Sequence, residues 1–360
     1  MSITVKKAGK KTTFSAADLL KQFQKDKGEA VGSFGGSLVN SDRIPTGLFP
    51  LDLSLAGGFP RGKCSIIYGP ESSNKTNIAL LAMASHQRLY PHLTCVFVDV
   101  EHSCDPAWAR LLGVNMDKVI VIKPDYAEQA VDMVESFLYA DDCGMVVIDS
   151  LAALVTTSEL EASAERANVG GASIVTAKLV RKTTLALDQA EKKEHFPTLI
   201  YINQISYKIG VMFGDPENMP GGKRPYYQAS IILRVYGKNK IDPKVSSVMP
   251  VLKDVGFILK KWKCPILAAS GRFEMATMAY NGLKVGQCDD MSTVTAYLKA
   301  FGEFEKAEKK GWTIAGEHYD TIQPFETRLY TDADFGAKIR QSIIERMIAG
   351  GELLETGEVA

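Results

Sequence analysis

Net charge is missing from this chain. Its 360 residues carry 42 Lys and Arg against 42 Asp and Glu. Bulk charge therefore gives no support for a nucleic-acid partner, and any such affinity has to be local. Paired cysteines are missing too. The six cysteines, at 64, 95, 104, 143, 264 and 288, stand apart without a C-x-x-C pair. That spacing argues against a zinc site or a disulfide framework and fits a reducing cytoplasm. No apolar run approaches the length of a membrane span. Lys6, Lys7, Lys10 and Lys11 are followed by no apolar stretch, so this end reads as a solvated basic tail rather than a secretory signal. Internal repeats and low-complexity tracts are also absent. What is present, 46% apolar and 23% charged residues, describes a globular protein with enough apolar side chains for a large core. The length allows two domains, or one large domain with appendages.

Near the N-terminus, Ser15 and Asp18 are spaced as a capping box, with Phe14 and Leu19 as its hydrophobic staple. A helix is expected over Ala16 to Lys27, with Leu19, Leu20 and Phe23 on one stripe. So short a helix is marginal alone and needs a surface, either its own core or a neighbouring subunit. Gly28 to Asp42 reads as a linker. Strands and helices then alternate: a strand into Gly69, a helix over Asn77 to Arg88, a strand over Thr94 to Val100, a helix over Asp105 to Leu112. The alternation goes on with a strand over Lys118 to Ile122, a helix over Ala127 to Tyr139 and a strand over Gly144 to Asp149. A helix over Ala172 to Lys192 and strands over Thr198 to Asn203 and Ser230 to Tyr236 complete it. The strands are apolar runs without period-2 patterning. An α/β fold with a mostly parallel sheet covered on both faces is expected. From about Ala276 short elements suggest a small appended α+β domain, ending in a helix near Asp334 to Met347.

The stretch Gly69-Pro70-Glu71-Ser72-Ser73-Asn74-Lys75-Thr76 follows a strand and opens a helix. It is one residue away from the phosphate-binding pattern G-x-x-x-x-G-K-[ST]. Its backbone N–H groups and the helix N-terminus suit phosphate oxygens. Lys75 would reach the β- and γ-phosphates of a nucleotide, and Thr76 would sit on Mg²⁺. Asn74 stands where Gly is usual, and Asn is among the few residues that tolerate φ > 0. Asp149 ends the apolar run Met145 to Ile148 and is placed to hold Mg²⁺. Glu101 follows another strand and could activate water, or be an ordinary surface Glu. Gln204 closes a third and could sense the γ-phosphate. Trp108 is either core or a face for adenine. Ile205 to Gln228 reads as the longest unstructured stretch, with Lys208, Lys223 and Arg224 among Gly and aromatic residues. It suits single-stranded nucleic acid, or a mobile lid over the nucleotide. Residues 201–240 hold six basic residues against two acidic ones, a local +4, and the last 16 residues hold one against four, a local −3.

These residues resemble the RecA recombinase family, and among its members look most like a phage-type RecA. The resemblance runs from about Asp18 to Phe273. It rests on Gly69 to Ser73, Phe97 to His102, Val147 to Leu154, Tyr201 to Ile205 and, most specifically, Lys208 to Gly214. It implies a RecA-type P-loop ATPase core, residues 34–275, after an N-terminal polymerisation helix and tail, residues 1–33, and before a small C-terminal domain, residues 276–360. It implies a DNA-dependent ATPase using ATP and Mg²⁺ that polymerises into a helical filament on single-stranded DNA, pairs it with homologous duplex DNA, and has no membrane partner. ATP would sit between adjacent subunits. Gly69 to Thr76, Asn77, Asp105, Trp108 and Asp149 would hold the nucleotide, with Thr76 and Asp149 on the metal. Glu101 matches the catalytic Glu, and Gln204 the residue that couples the γ-phosphate to the DNA loops. Lys261 and Lys263 look like the lysines that reach ATP from the neighbouring subunit. Val169, Arg181, Ile209, Gly221 and Gly222 match DNA contacts, joined by Lys208, Phe213, Lys223 and Arg224. Glu159 to Gly170 looks like a first DNA loop, and Ile205 to Gln228 like a second. Asn74, Ser206 in place of a basic residue, and a short acidic tail depart from the family. A hexameric DNA motor or a non-hydrolysing scaffold are the competing expectations.

Overall fold

The computed structural model describes residues 42–161, 171–207, 217–307, 310–351 and 357–358, with Ala17, Lys21 and Lys25. The chain divides into two compact units, residues 1–41 and 42–360. In the first, Ala17, Lys21 and Lys25 are helical, and the rest of the expected N-terminal helix lies outside the described residues.

The second unit opens with β1 (Arg43–Ile44), α1 (Phe49–Ser54), β2 (Phe59–Pro60), β3 (Cys64–Tyr68) and α2 (Lys75–Leu89). There follow β4 (Thr94–Asp99), α3 (Pro106–Leu111), β5 (Val119–Ile122), α4 (Ala127–Tyr139) and β6 (Cys143–Asp149). Next come α5 (Thr157–Glu161), α6 (Gly171–Lys192), β7 (Thr198–Asn203), β8 (Ser206–Tyr207), β9 (Glu217–Asn218) and α7 (Arg224–Gln228). Three long strands, β10 (Ile231–Lys240), β11 (Leu252–Trp262) and β12 (Ser270–Ala276), precede β13 (Cys288–Asp289). The C-terminal part holds α8 (Met291–Ala300), β14 (Phe304–Lys306), β15 (Trp312–Ile314), β16 (Glu317–Tyr319), α9 (Gln323–Thr331), α10 (Ala333–Ala349) and β17 (Gly357–Glu358).

The main sheet has the order β13-β12-β11-β10-β3-β7-β6-β4-β5, with β17 added to β11. From β10 to β5 every pairing is parallel. Alternate residues of one strand enter different cores. Ile67, Val147 and Ile200 join the apolar cluster around α2. Ile66, Val146 and Leu199 join the one under α4 and α6. Both faces are apolar, so the period of two disappears from the sequence. Beyond β10 the sheet turns antiparallel. This extension was not anticipated. In β11 Asp254, Gly256 and three lysines break the apolar pattern, and Gly256 is required because a Cβ there would lie 2.4 Å from the Tyr236 ring.

A separate apolar cluster gathers α8, α9, α10 and β14–β16. Phe49 and Leu53 of α1 enter this cluster, while Leu51 and Leu55 enter the main core. Asp290 and Arg340 form a bidentate pair beside it, at 2.6 and 2.9 Å. The expected unstructured stretch 205–228 is partly structured. β8 pairs with β9, and α7 starts with Pro225 in its first turn. Among the described residues no helix is long and apolar enough to cross a membrane.

Candidate nucleotide site and nucleic-acid surface

β3 delivers the chain into the phosphate-type turn at its C-terminal end, where ligands gather in open α/β sheets. Gly69 is required there, since a Cβ would lie 2.1 Å from Val235 O. Asn74 has φ 83 and ψ 13, the left-handed region, so the turn keeps the conformation that Gly usually supplies. Its side chain is turned aside. Nδ2 donates to Met275 Sδ at 3.3 Å, and Oδ1 accepts from Asn77 Nδ2 at 2.7 Å. Trp108 Nε1 donates to Asn77 Oδ1 at 2.8 Å, which ties α3 to the first turn of α2. The Trp108 ring is half-buried against the α2 core. Asp105 is the N-cap of α3, accepting from Ala107 N and Trp108 N.

Lys75 Nζ donates to Gly69 O at 3.1 Å and Pro70 O at 2.6 Å. Burial holds its pKa below the usual lysine range, against the pull of Asp149, Glu101 and Glu71. Thr76 Oγ1 donates to Asp149 Oδ2 at 2.6 Å. Burial raises the Asp149 pKa to about 6, with the Thr76 hydrogen bond opposing it. The Asp149–Ser150 peptide bond is cis. Glu101 Oε1 accepts from the Ser150 hydroxyl and from Gln204 Nε2, the latter at 3.0 Å. Asp99, fully buried, accepts from Ser103 N and Cys104 N and so shapes the segment that carries Glu101.

The turn fits a polyphosphate with its divalent ion. The Ser73 hydroxyl is buried and, among the described residues, has no hydrogen-bond partner. It lies 2.7 Å from where a Gly69 Cβ would stand, inside the turn. Thr76 and Asp149 are the oxygen ligands a Mg²⁺ ion would take. Three residues were missed in the sequence. Ser150 directly follows Asp149 and Asp99 ends an apolar run, so both carried a signal. Lys253 carried none, yet it lines the same pocket as Ser72 to Asn77.

Lys261 and Lys263 are not gathered with these groups. Lys261 Nζ donates to Tyr226 O and Tyr227 O, and Lys263 Nζ to Tyr227 O and Gln228 O. Both therefore hold the C-terminal carbonyls of α7. Lys261 pairs with Ile232 at the start of β10, and Lys253 with Asn239 near its end. Eight residues of strand separate Lys253 from Lys261, roughly 27 Å. Gly221 and Gly222 have φ 95 and 80. A Cβ on Gly221 would lie 2.9 Å from Thr176 Cγ2, so this segment packs against α6. Arg181, Lys223 and Arg224 are exposed. Val169, Lys208, Ile209 and Phe213 lie outside the described residues.

The family model for the RecA N-terminal domain matches residues 13–271. The chain belongs to the RecA family. Protein RecA of Acholeplasma laidlawii is 35% identical over 254 residues, 70% of this chain and 74% of that protein. Protein RecA of Symbiobacterium thermophilum is 40% identical over 220 residues, 61% of each chain. Protein RecA of Lactococcus lactis subsp. cremoris is 37% identical over 240 residues, 66% of this chain and 60% of that protein. The match thus spans about three-fifths of the latter two relatives. Among solved structures, the RadB recombinase is similar with a TM-score of 0.47 at 20% identity, over 65% of this chain and 96% of that one. The family match ends at 271, just before the C-terminal elements that resembled the family least in sequence.

Proposed function

We propose that this protein is an ATP-dependent DNA recombinase, which polymerises on single-stranded DNA and catalyses homologous pairing and strand exchange with duplex DNA. The observation that carries the reading is the bond between Gln204 and Glu101. It links a carboxylate beside the phosphate turn to the residue that opens the basic segment 205–228. Gly69, Pro70, Glu71, Ser72, Ser73, Asn74, Lys75, Thr76 and Asn77 hold the nucleotide, with Trp108 and Asp105 on the base side. Thr76 and Asp149 would hold a Mg²⁺ ion, which would supply charge neutralisation for the polyphosphate. Lys75 exchanges its two carbonyl partners for phosphate oxygens. Glu101 Oε1 is held by two donors. Oε2 is then the oxygen that orients the attacking water and takes its proton. Gln204 passes between Glu101 and the γ-phosphate, and so reports the nucleotide to the DNA segment.

DNA phosphates meet Arg181, Gly221, Gly222, Lys223 and Arg224, with Val169, Lys208, Ile209 and Phe213 completing the surface. Lys261 and Lys263 act on the nucleotide of the next subunit, and their distance from the pocket of their own chain supports this. Residues 1–33 serve polymerisation, 34–275 the ATPase core and 276–360 an accessory domain, in a cytoplasmic protein. The phage-type affinity rests on sequence alone. The test is ATP hydrolysis with and without single-stranded DNA, for wild type and Lys75→Ala, with electron microscopy of the DNA complexes. Stimulated turnover that Lys75→Ala abolishes, together with filaments, supports the reading. Rings would favour a hexameric motor, absent turnover a scaffold, and normal turnover in Lys75→Ala would remove the site assignment.

A further inference from the structure

Lys253 stands on β11 directly across from Met275 of β12. Met275 is the residue to which Asn74 donates. Cross-strand partners point to the same face of a sheet, so Lys253 and Met275 both face the phosphate turn. The small pocket in front of that turn is lined by the consecutive residues Ser72 to Asn77 and, from the rest of the chain, by Lys253. Trp108, the candidate base platform, does not line it. Lys253 therefore faces the part of the site where backbone N–H groups gather.

The surroundings of Lys253 are unusual for a lysine. Lys253 is half-buried and, among the described residues, its ammonium makes no hydrogen bond or ion pair. Other cations in this part of the fold are engaged. Lys240 is paired with Glu274, Arg272 with Asp254, and Lys263 with main-chain carbonyls. Burial disfavours the charged form of Lys253. Lys253 and Lys75 also repel each other. A half-buried cation next to a second cation costs free energy unless an anion comes between them. Among the described residues no carboxylate pairs with Lys253. The Asn74 side chain is tied to Met275 and Asn77.

We propose that Lys253 is a second cation of the nucleotide pocket, contacting phosphate oxygens of the bound nucleotide from the β11 side while Lys75 contacts them from the turn. The proposal rests on the nucleotide reading of the turn. It concerns the polyphosphate, common to di- and triphosphates, and not the base. Binding of the anion removes the mutual repulsion of the two lysines as well as adding a contact for each.

The experiment is titration calorimetry of the full chain with three Mg²⁺-loaded ligands: inorganic tripolyphosphate, ADP and a slowly hydrolysed ATP analogue. Wild type is compared with Lys253→Met, Lys253→Gln, Lys253→Arg and Lys75→Ala, after thermal melts. A charge-assisted hydrogen bond contributes enough for a loss of about tenfold or more in affinity. Both neutral variants should lose this factor for all three ligands, tripolyphosphate included. Lys253→Arg should keep most of it, and the neutral variants should melt no lower than wild type. Unchanged tripolyphosphate affinity in Lys253→Met and Lys253→Gln, with a loss in Lys75→Ala, overturns the proposal alone. A loss confined to ADP and the ATP analogue also overturns it, since the lysine would then read the base or ribose. If Lys75→Ala binds all three ligands normally, the nucleotide reading of the turn fails first.

Discussion

Replacing Asn74 tests whether the phosphate turn is held by backbone conformation or by side-chain contacts. Its φ of 83 lies where an ordinary side chain is strained. An Ala there costs about 1 kcal/mol or more in the left-handed region. Asn74→Ala also removes the hydrogen bond from Asn77 at 2.7 Å and the contact to Met275. One such bond contributes about 1 kcal/mol net. Asn74→Ala should therefore lose about 2 kcal/mol. Asn74→Gly loses the same bonds but relieves the strain, offset by about 0.5–1 kcal/mol for the freer unfolded chain. It should lose about 1 kcal/mol. For a large domain 1 kcal/mol moves Tm by roughly 2–4 °C. The Ala variant should thus melt several degrees below wild type, with the Gly variant between them, as followed by circular dichroism. Nucleotide affinity should survive in the Gly variant, since the turn is unchanged. An Ala variant as stable as wild type, or a Gly variant less stable than Ala, would refute the reasoning.

Three further outcomes are expected. Glu101→Gln should keep affinity for a slowly hydrolysed ATP analogue and lose roughly 10²–10⁴-fold in single-turnover hydrolysis; lost affinity would make Glu101 structural. Gln204→Ala should keep ATP binding and largely erase the preference of single-stranded DNA for the ATP-bound over the ADP-bound protein, measured by fluorescence anisotropy. Because such coupling is reciprocal, DNA should also cease to tighten the ATP analogue, and an intact effect would place the switch elsewhere. For Asp149 the pKa is raised from 3.8 to about 6 by burial. A carboxyl raised on folding contributes stability that is present below about pH 3.8 and lost as pH rises through about 6. Asp149→Asn should then gain up to about 3 kcal/mol on wild type between pH 3.5 and pH 7.5 in paired urea melts, and a difference independent of pH would contradict the burial account.

The parallel half of the fold was legible because its strands are unbroken apolar runs between amphipathic helices. The helix Ala127–Tyr139 and the strand Thr198–Asn203 have the bounds read from sequence. The antiparallel half was not legible. In β11, Lys253, Asp254 and Gly256 are set by what stands across the sheet, the phosphate turn, Arg272 and the Tyr236 ring. Those neighbours are distant in sequence, so no local pattern announces them. The site divides in the same way. Thr76, Asp149, Glu101 and Gln204 each end or follow a strand, and parallel topology brings such ends together. Ser150 directly follows Asp149 at a strand end, where the site residues gather, yet it was not singled out; its hydroxyl and Gln204 Nε2 together hold Glu101. The segment 205–228 was read as unstructured, since a two-residue ladder and a five-residue helix are too short to leave a period.

Lys253 faces the pocket near one end of β11, and Lys261 stands near the other. If Lys261 and Lys263 complete a pocket, they complete one on another copy, and that contact joins two different surfaces. Such a contact repeats without returning on itself unless its rotation happens to close a ring. An open row of n copies then contains n − 1 completed pockets. At one end a copy offers a pocket lacking its outside lysines, and at the other a copy offers lysines with no pocket to enter. The two ends are chemically distinct, so growth and loss of subunits need not proceed at equal rates from them, and hydrolysis is confined to copies with a neighbour on the correct side.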